Sequence, residues 1–352
     1  MELLDFLGQA VEKGASDIFI IAGSPVSMKL HHELCPIGGE RLMPESCEKL
    51  IGDLYAAANR TMDIYLEKRD DDFSLTVPGM ARFRVNTYRQ RGSMAAVIRV
   101  VAFGIPDWQQ MGIPEQVMNL AKVRNGMILV TGTAGSGKST TQACIIDRIN
   151  HTRDCHIITM ENPIEYLHRN VKSIVSQREV TIDTEDYLAA LRACLRQAPD
   201  VILLGEMRDH ETIRTAMTAA ETGHLIIATL HTQGAVNTID RIVDSFPSTQ
   251  QAQVRIQLSS VLHTVVSQQL LPAVGGGLAA AFEVMDVDSG GIRAMIRDSK
   301  SHMIDNAIAS GSKEVMFSMD DSLLKLYKAG KIARETALAA AANKSTLERR
   351  MG

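Results

Sequence analysis

Gly132-Thr133-Ala134-Gly135-Ser136-Gly137-Lys138-Ser139 is the stretch that decides the fold. It satisfies GxxxxGK[ST] in full. The apolar run Met127 to Thr131 precedes it, and a helical pattern carrying Ile145, Ile146 and Ile149 follows. Strand, glycine-rich turn and helix are the context this motif needs. The glycines let backbone N–H groups close on phosphate oxygens, and the helix N-terminus adds a favourable dipole. Lys138 is then expected to reach the β/γ-phosphates and Ser139 to hold Mg²⁺. The motif marks a nucleotide site, but by itself it does not separate kinase, GTPase, motor and switch.

Three further stretches place acids and a histidine beside it. Val201 to Leu204 reads as a buried strand running into Gly205 and Glu206. A carboxylate emerging there can polarise the attacking water or hold Mg²⁺, partly through water, so Glu206 is expected to be the general base. Asp200, before that strand, reads as structural. The strand His156 to Met160 delivers Glu161 at its end, where ligands gather in open α/β sheets, with Glu165 shortly after. Glu221 to Thr232 holds two histidines around an apolar strand. Their separation of seven puts them on opposite faces, so they do not share a metal. His231 is expected to sense the γ-phosphate, whereas local sequence makes His224 a structural residue.

Composition bounds the partners. The 352 residues carry 37 Lys plus Arg against 41 Asp plus Glu, a net charge of −4 that argues against nucleic-acid binding by bulk charge. With 45% hydrophobic residues the chain is not disordered. Cys35, Cys47, Cys144, Cys155 and Cys194 are odd in number and form no CxxC, which argues for reduced thiols rather than zinc or disulfides. No apolar run reaches the ~18 residues of a membrane span; the longest, Leu270 to Met285, contains Pro272, three glycines and Glu283. Glu2 and Asp5 stand where a signal peptide needs positive charge. The expectation is a cytoplasmic chain with no direct membrane insertion.

The organisation is expected to be α/β, with a smaller α+β domain over 1–104, a linker over 105–116 and a motor domain over 117–352 with a helical C-terminal region. Leu3, Leu4, Leu7, Ala10 and Val11 predict a first helix, and a second follows Pro44. Asp72 to Val77, Arg82 to Tyr88 and Ala95 to Val101 are grouped strand-like runs that suggest an antiparallel sheet. Ala102 to Gln116, with Gly104, Pro106, Gly112 and Pro114, reads as the linker. Beyond it, short apolar strands alternate with helices, the grammar of a parallel sheet. Arg84 and Arg99 lie on neighbouring strand-like runs, and Arg192 and Arg196 are spaced i, i+4 on a helix. Each pair reads as a solvated face or, beside phosphate in an assembly, as arginine fingers.

Taken together, these motifs resemble the secretion/type IV pilus traffic ATPase superfamily, and most closely its pilus retraction (twitching motility, PilT-like) branch. The residues that carry the resemblance are Gly132 to Thr141, Ile158 to Tyr166, Pro199 to Asp209 and Ala219 to Thr232. Lys13 to Ile18, Ala81 to Asn86, Ser176 to Val180 and Thr238 to Pro247 support it. It implies a PAS-like N-terminal domain, a RecA-like P-loop motor domain, ATP and Mg²⁺ as cofactors, and a homo-hexamer. It also implies peripheral association with the inner membrane through a pilus platform protein, and a paralogous pilus ATPase as a further partner. By the same resemblance Gly132 to Ser139 form Walker A with Thr140 following, and Glu161 and Glu165 form the Asp-box. Glu206 is the Walker B acid, His224 and His231 form the His-box, and Arg84, Arg99, Arg192 and Arg196 contact phosphates.

The chain departs from the family pattern at Asn162 in the Asp-box, at Thr133-Ala134 in Walker A, and in Gly291 to Asp298. The tetracysteine zinc site of extension ATPases is missing. The expected function is ATP-driven pilus retraction. The alternatives are an accessory retraction (PilU-like) ATPase, an extension or type II secretion ATPase, a RecA-like helicase, and a non-hydrolysing assembly factor.

Overall fold

The computed structural model describes residues 2–30, 33–101 and 104–352. Two compact units divide the chain, Met1–Gly104 and Ile105–Gly352.

In the first unit the elements run α1 (Leu3–Glu12), β1 (Asp17–Ile20), β2 (Ser27–Leu30), β3 (Glu33–Pro36), α2 (Pro44–Ala57), α3 (Asp63–Lys68), β4 (Asp70–Val77), β5 (Ala81–Gln90) and β6 (Ser93–Val101). The six strands pair antiparallel in the order β3-β2-β1-β6-β5-β4. Residue alternation explains the layering. On β5, Ala81, Phe83, Val85 and Thr87 are buried while Arg82, Arg84, Asn86 and Tyr88 face outward. The buried face packs against Phe6, Leu7, Ile51 and Leu54 of the two amphipathic helices. The opposite face keeps the arginines.

The second unit continues with α4 (Glu115–Met118), β7 (Gly126–Thr131), α5 (Lys138–Thr152), β8 (His156–Glu161), β9 (Ile174–Glu179), α6 (Tyr187–Cys194), β10 (Val201–Leu204), α7 (His210–Glu221), β11 (Leu225–Leu230), α8 (Ala235–Asp244) and α9 (Ser248–Val261). The hairpin β12 (Leu262–Pro272) and β13 (Leu278–Asp286) follows. The chain then closes with α10 (Ile292–Arg297), α11 (Ile304–Ser310), α12 (Met319–Lys328), α13 (Arg334–Ala340) and α14 (Lys344–Met351). The sheet order is β13-β12-β7-β11-β10-β8-β9, parallel except for β13. Helices cover both faces. Met127, Leu129, Ile158, Met160, Ile202 and Leu204 point to the α6–α10 side, and Ile128, Ile157, Val201 and Leu203 point to the α4–α5 side. That two-sided burial is why these strands read as unbroken apolar runs.

Two departures from the sequence reading, and one stretch it left unassigned, have physical causes. The segment expected as a linker packs into the second unit: Ile113 is buried against Val117, Ile145 and Ile149, with Ile105 and Trp108 alongside. Its starting residue, Ala102, lies outside the described residues. The run Leu270 to Met285 is a hairpin, because its three glycines turn the chain at 275–277 with positive φ and let β13 return along β12. Arg196 does not share a helix with Arg192, since α6 ends at Cys194.

Glu283 on β13 ties this frame together. One carboxylate oxygen accepts from the Ala235 amide at 2.8 Å and the other from the Met319 amide at 3.4 Å, so a buried acid caps the first turns of α8 and α12. Glu283→Ala leaves two buried N–H groups unpaired and is expected to cost about 2–4 kcal/mol, read as a lowered urea midpoint with unchanged slope.

Candidate functional site

Parallel strands deliver their C-terminal ends to one edge of a sheet, and here four adjacent strands do so. β7 runs into the Gly132–Ser139 loop, β8 ends at Glu161, β10 runs into Gly205 and Glu206, and β11 runs into His231. A cavity of about 320 Å³ opens there, lined by Lys138, Ser139, Glu161, Glu165, Glu206 and His231 together with Tyr187 and Arg208. Lys138 and His231, 93 positions apart in the sequence, line one cavity because the strand order places β11 between β7 and β10, and β10 between β11 and β8.

The loop is built for backbone donors. Gly132 has φ +144°, and a Cβ there would stand 2.3 Å from the Gln268 carbonyl oxygen and 2.5 Å from Ser136 Oγ. Gly137 has φ +86°, and its Cβ would meet Gln268 Nε2 at 2.8 Å. Only glycine fits either position. Gly137 is the N-cap of α5 and offers no side chain to the helix's first amides, and the first turn carries no acid. Those donors, with the dipole behind them, face outward to an anion. Ser136 Oγ and Gln142 Nε2 are buried without a hydrogen-bond partner among the described residues, which is the signature of a loop awaiting an acceptor.

Lys138 is parked on its own loop. Its Nζ donates to the carbonyls of Gly132 at 2.9 Å and Thr133 at 2.8 Å. Burial holds the ammonium below its ordinary pKa, opposed by the nearby Glu165 and Glu206 carboxylates. Behind the loop, Thr141 Oγ1 donates to Gln268 Oε1 at 2.7 Å and fastens α5 to β12, and the Thr140 hydroxyl lies 2.8 Å from that of Tyr166.

The acidic side is equally ordered. Glu206, its side chain only 12% exposed, forms an ion pair through Oε1 with Arg208, and its Oε2 lies 3.4 Å from His231 Nε2. The Thr229 hydroxyl donates to the Gly205 carbonyl and fixes the turn that presents Glu206. Glu161 accepts from Thr159 Oγ1 at 2.6 Å and from Gln177 Nε2 at 3.2 Å. Although the residue keeps some contact with solvent, desolvation by the protein packed around its carboxyl pushes the pKa up to about 7. Glu165 and Glu179 push the same way, and the two hydrogen bonds oppose. His168, also on the cavity wall, is driven down to about 4 by burial and stays neutral.

Serine hydroxyl and carboxylate oxygens are the hard donors that Mg²⁺ prefers, so Ser139, Glu206 and Glu161 suit that ion. Among the described residues, no group of three or more His, Cys, Asp or Glu is placed to hold a metal ion.

Not every expected residue comes here. His224 precedes β11 at the opposite end of the strand from His231. Its Nδ1 sits 2.9 Å from the Ala219 carbonyl oxygen and 3.2 Å from the Thr222 hydroxyl, away from the cavity to which the family resemblance assigns it as a nucleotide-binding residue. Arg192 pairs with Glu211 at 3.5 Å, and Arg196 is exposed beyond α6; neither lines the cavity. In the first unit Arg84 and Arg99 are direct cross-strand partners on β5 and β6. Arg84 is held by Asp72 at 2.5 Å and Arg99 by Asp17 at 3.0 Å, so two like charges stand side by side with an acid on each flank.

The family described as Type II/IV secretion system protein matches residues 2–347. The chain belongs to that family. Within it, the chain is 42% identical over 337 residues to the type IV pilus retraction ATPase PilT of Pseudomonas aeruginosa, covering 96% of this chain and 97% of the relative. It is 38% identical to the type IV pilus ATPase PilU of the same organism, over 96% of this chain and 88% of the relative. The crystal structure of the pilus retraction motor PilT with bound ADP superposes with a TM-score of 0.91 at 44% identity, covering 99% of each chain.

Two lining residues received no role from the sequence reading: Arg208, although it lies within the quoted stretch Pro199 to Asp209, and Tyr187 at the start of α6, which belongs to no quoted motif.

The carboxyl of Glu161 supplies a test with a definite sign. Below the ordinary value of 4.5 it is protonated in both folded and unfolded chains; between there and about 7 only the unfolded chain releases its proton, so stability falls as pH rises. Glu161→Gln lacks this loss. It is expected to gain about 2 kcal/mol on the parent protein between about pH 5 and about pH 8, measured by urea unfolding at the two pH values.

Proposed function

We propose that this protein is a mechanical ATPase that powers type IV pilus retraction, working as a homo-hexamer on a pilus platform protein at the inner membrane. The observation that carries the reading is the convergence of a complete phosphate loop, Glu206, Glu161 and His231 on one cavity, in a chain similar over its whole length to a retraction ATPase. The second unit is read as a RecA-like motor and the first as PAS-like. No helix among the described residues is long and apolar enough to cross a membrane.

The chemistry assigned to the site is in-line attack of water on the γ-phosphoryl group of ATP. The amides at the start of α5 hold the β-phosphate, and Lys138 leaves the Gly132 and Thr133 carbonyls for the β/γ oxygens. Ser139, and Glu206 partly through water, would hold Mg²⁺, which would supply charge neutralisation at the phosphates when bound. Glu206 orients the attacking water and takes up its proton, which requires Arg208 to let go of the carboxylate. With 74% of its side chain exposed, Arg208 is free to swing. His231 is placed to report on the γ-phosphate. Arg84 and Arg99 are assigned by the family resemblance to the transition-state charge, from the same chain or a neighbour, which requires each to exchange its carboxylate partner, Asp72 or Asp17, for phosphate.

Asn162 in the Asp-box and the PilU likeness give an accessory retraction role some support; it would show as low intrinsic turnover raised by a retraction paralogue.

Glu206→Gln is expected to bind ATP normally with turnover lost, and wild-type steady-state turnover would remove Glu206 as base. Arg84→Ala and Arg99→Ala are each expected to lower turnover by ~10³–10⁵ if they act as arginine fingers. A deletion strain is expected to be hyperpiliated and unable to twitch; bald cells would indicate extension instead.

A further inference from the structure

Tyr187 is the first residue of α6, and its ring is placed by the turn before it. Asp186 caps the helix, its carboxylate accepting from the Ala189 amide at 2.7 Å, and the tyrosine side chain packs on the core beneath β8 and β10. Its hydroxyl is carried to the catalytic edge of the sheet. A Cβ built on Gly205 would stand 2.7 Å from that hydroxyl oxygen, 3.2 Å from the Met160 carbonyl oxygen and 3.3 Å from the Glu161 Cα. The phenol oxygen therefore lies over the bare Cα of Gly205, between the end of β8 that carries Glu161 and the end of β10 that carries Glu206. An alanine at 205 would displace it.

The hydroxyl has a donor and no recipient. It makes no hydrogen bond to any described residue, and it lines the same cavity as Lys138, Ser139, Glu161 and Glu206. A tyrosine serving only to fill the core would do as well without its oxygen, and an oxygen serving the fold would be bonded to it. Burial, reinforced by the Glu206 and Glu161 carboxylates and opposed by Arg208, pushes its pKa up, so the proton stays in place at working pH.

We propose that Tyr187 is a further catalytic residue, whose hydroxyl donates to the attacking water while that water donates to Glu206. The inference rests on the ATPase reading of this site. The water would then be held by two protein groups instead of one, with its remaining lone pair directed at phosphorus. As the bond from the water oxygen to the γ-phosphorus forms, the bond to the β,γ-bridging oxygen breaks. The water proton passes to Glu206, the leaving group departs as ADP, and Tyr187 keeps its proton throughout. Two-point orientation is the kind of contact that raises kcat without changing ground-state binding.

Tyr187→Phe removes one oxygen and keeps the ring that packs on the core. In the full-length protein with Mg²⁺ and ATP, kcat is expected to fall by about tenfold to a hundredfold. The dissociation constant for a fluorescent ATP analogue and the thermal midpoint should stay at their parent values. Glu206→Gln is assayed alongside. If Glu206→Gln is inactive and Tyr187→Phe turns over at the parent rate, the proposal is overturned and the ATPase reading stands. A drop in kcat accompanied by weakened binding or a lowered midpoint would make Tyr187 a structural residue and overturn it equally. If both variants turn over at the parent rate, the reading of the site fails and the proposal falls with it.

Discussion

The approach of the phosphate loop to β12 is the contact on which the rest of the site depends. Gly132 and Gly137 lie against Gln268 so closely that neither tolerates a methyl group, and the Gln268 side chain accepts from Thr141 one turn into α5. One residue on a strand remote in sequence, through its backbone carbonyl at Gly132 and its side chain at Gly137 and Thr141, thus sets the distance between the loop and the sheet. With that distance fixed, the first amides of α5 point outward without a cap, and an anion becomes their natural partner. Were the loop free to close on a side-chain cap, the helix would be self-sufficient and the cavity would lose its donors.

From that contact the acids follow. A parallel sheet covered on both faces has its strand ends as the one place where polar side chains can leave the core together, and the order β7-β11-β10-β8 puts the loop, His231, Glu206 and Glu161 in a row. Each is then tuned by its neighbours. Arg208 and His231 hold Glu206, and Thr159 and Gln177 hold Glu161. Lys138 rests on carbonyl groups that it can give up. These arrangements suit a site that waits for nucleotide, with the Lys138 ammonium resting on neutral carbonyls that phosphate can replace.

Much of this was legible in the sequence, for physical reasons. The loop, the strand ending before Glu206 and the strand ending at Glu161 are local patterns: a glycine motif between an apolar run and a helix, and apolar runs that stop at an acid. The alternation on β5 exposed Arg84 in the same way. What escaped was what depends on pairing between distant segments. β12 and β13 looked like one apolar stretch interrupted by glycines, because nothing local says that Leu262–Pro272 lies beside Gly126–Thr131. Arg196 looked helical because Leu188, Leu191 and Leu195 keep the spacing, although the helix stops one residue before Leu195. The linker segment has loop-forming glycines and prolines, yet Ile113 and Trp108 have an apolar wall to cover. Tyr187 belongs to no quoted motif, and Arg208 has no role within its own until β10 and α6 are brought to one cavity.

The central claim is that Lys138 is held in waiting and that the phosphate loop is the nucleotide's seat. A crystal structure with Mg²⁺ and a non-hydrolysable ATP analogue tests it most directly. The account expects the β-phosphate against the first amides of α5, Lys138 Nζ moved from the Gly132 and Thr133 carbonyls to the β/γ oxygens, and the γ-phosphate facing Glu206. A nucleotide bound elsewhere, or bound here with Lys138 still on its two carbonyls, would contradict it.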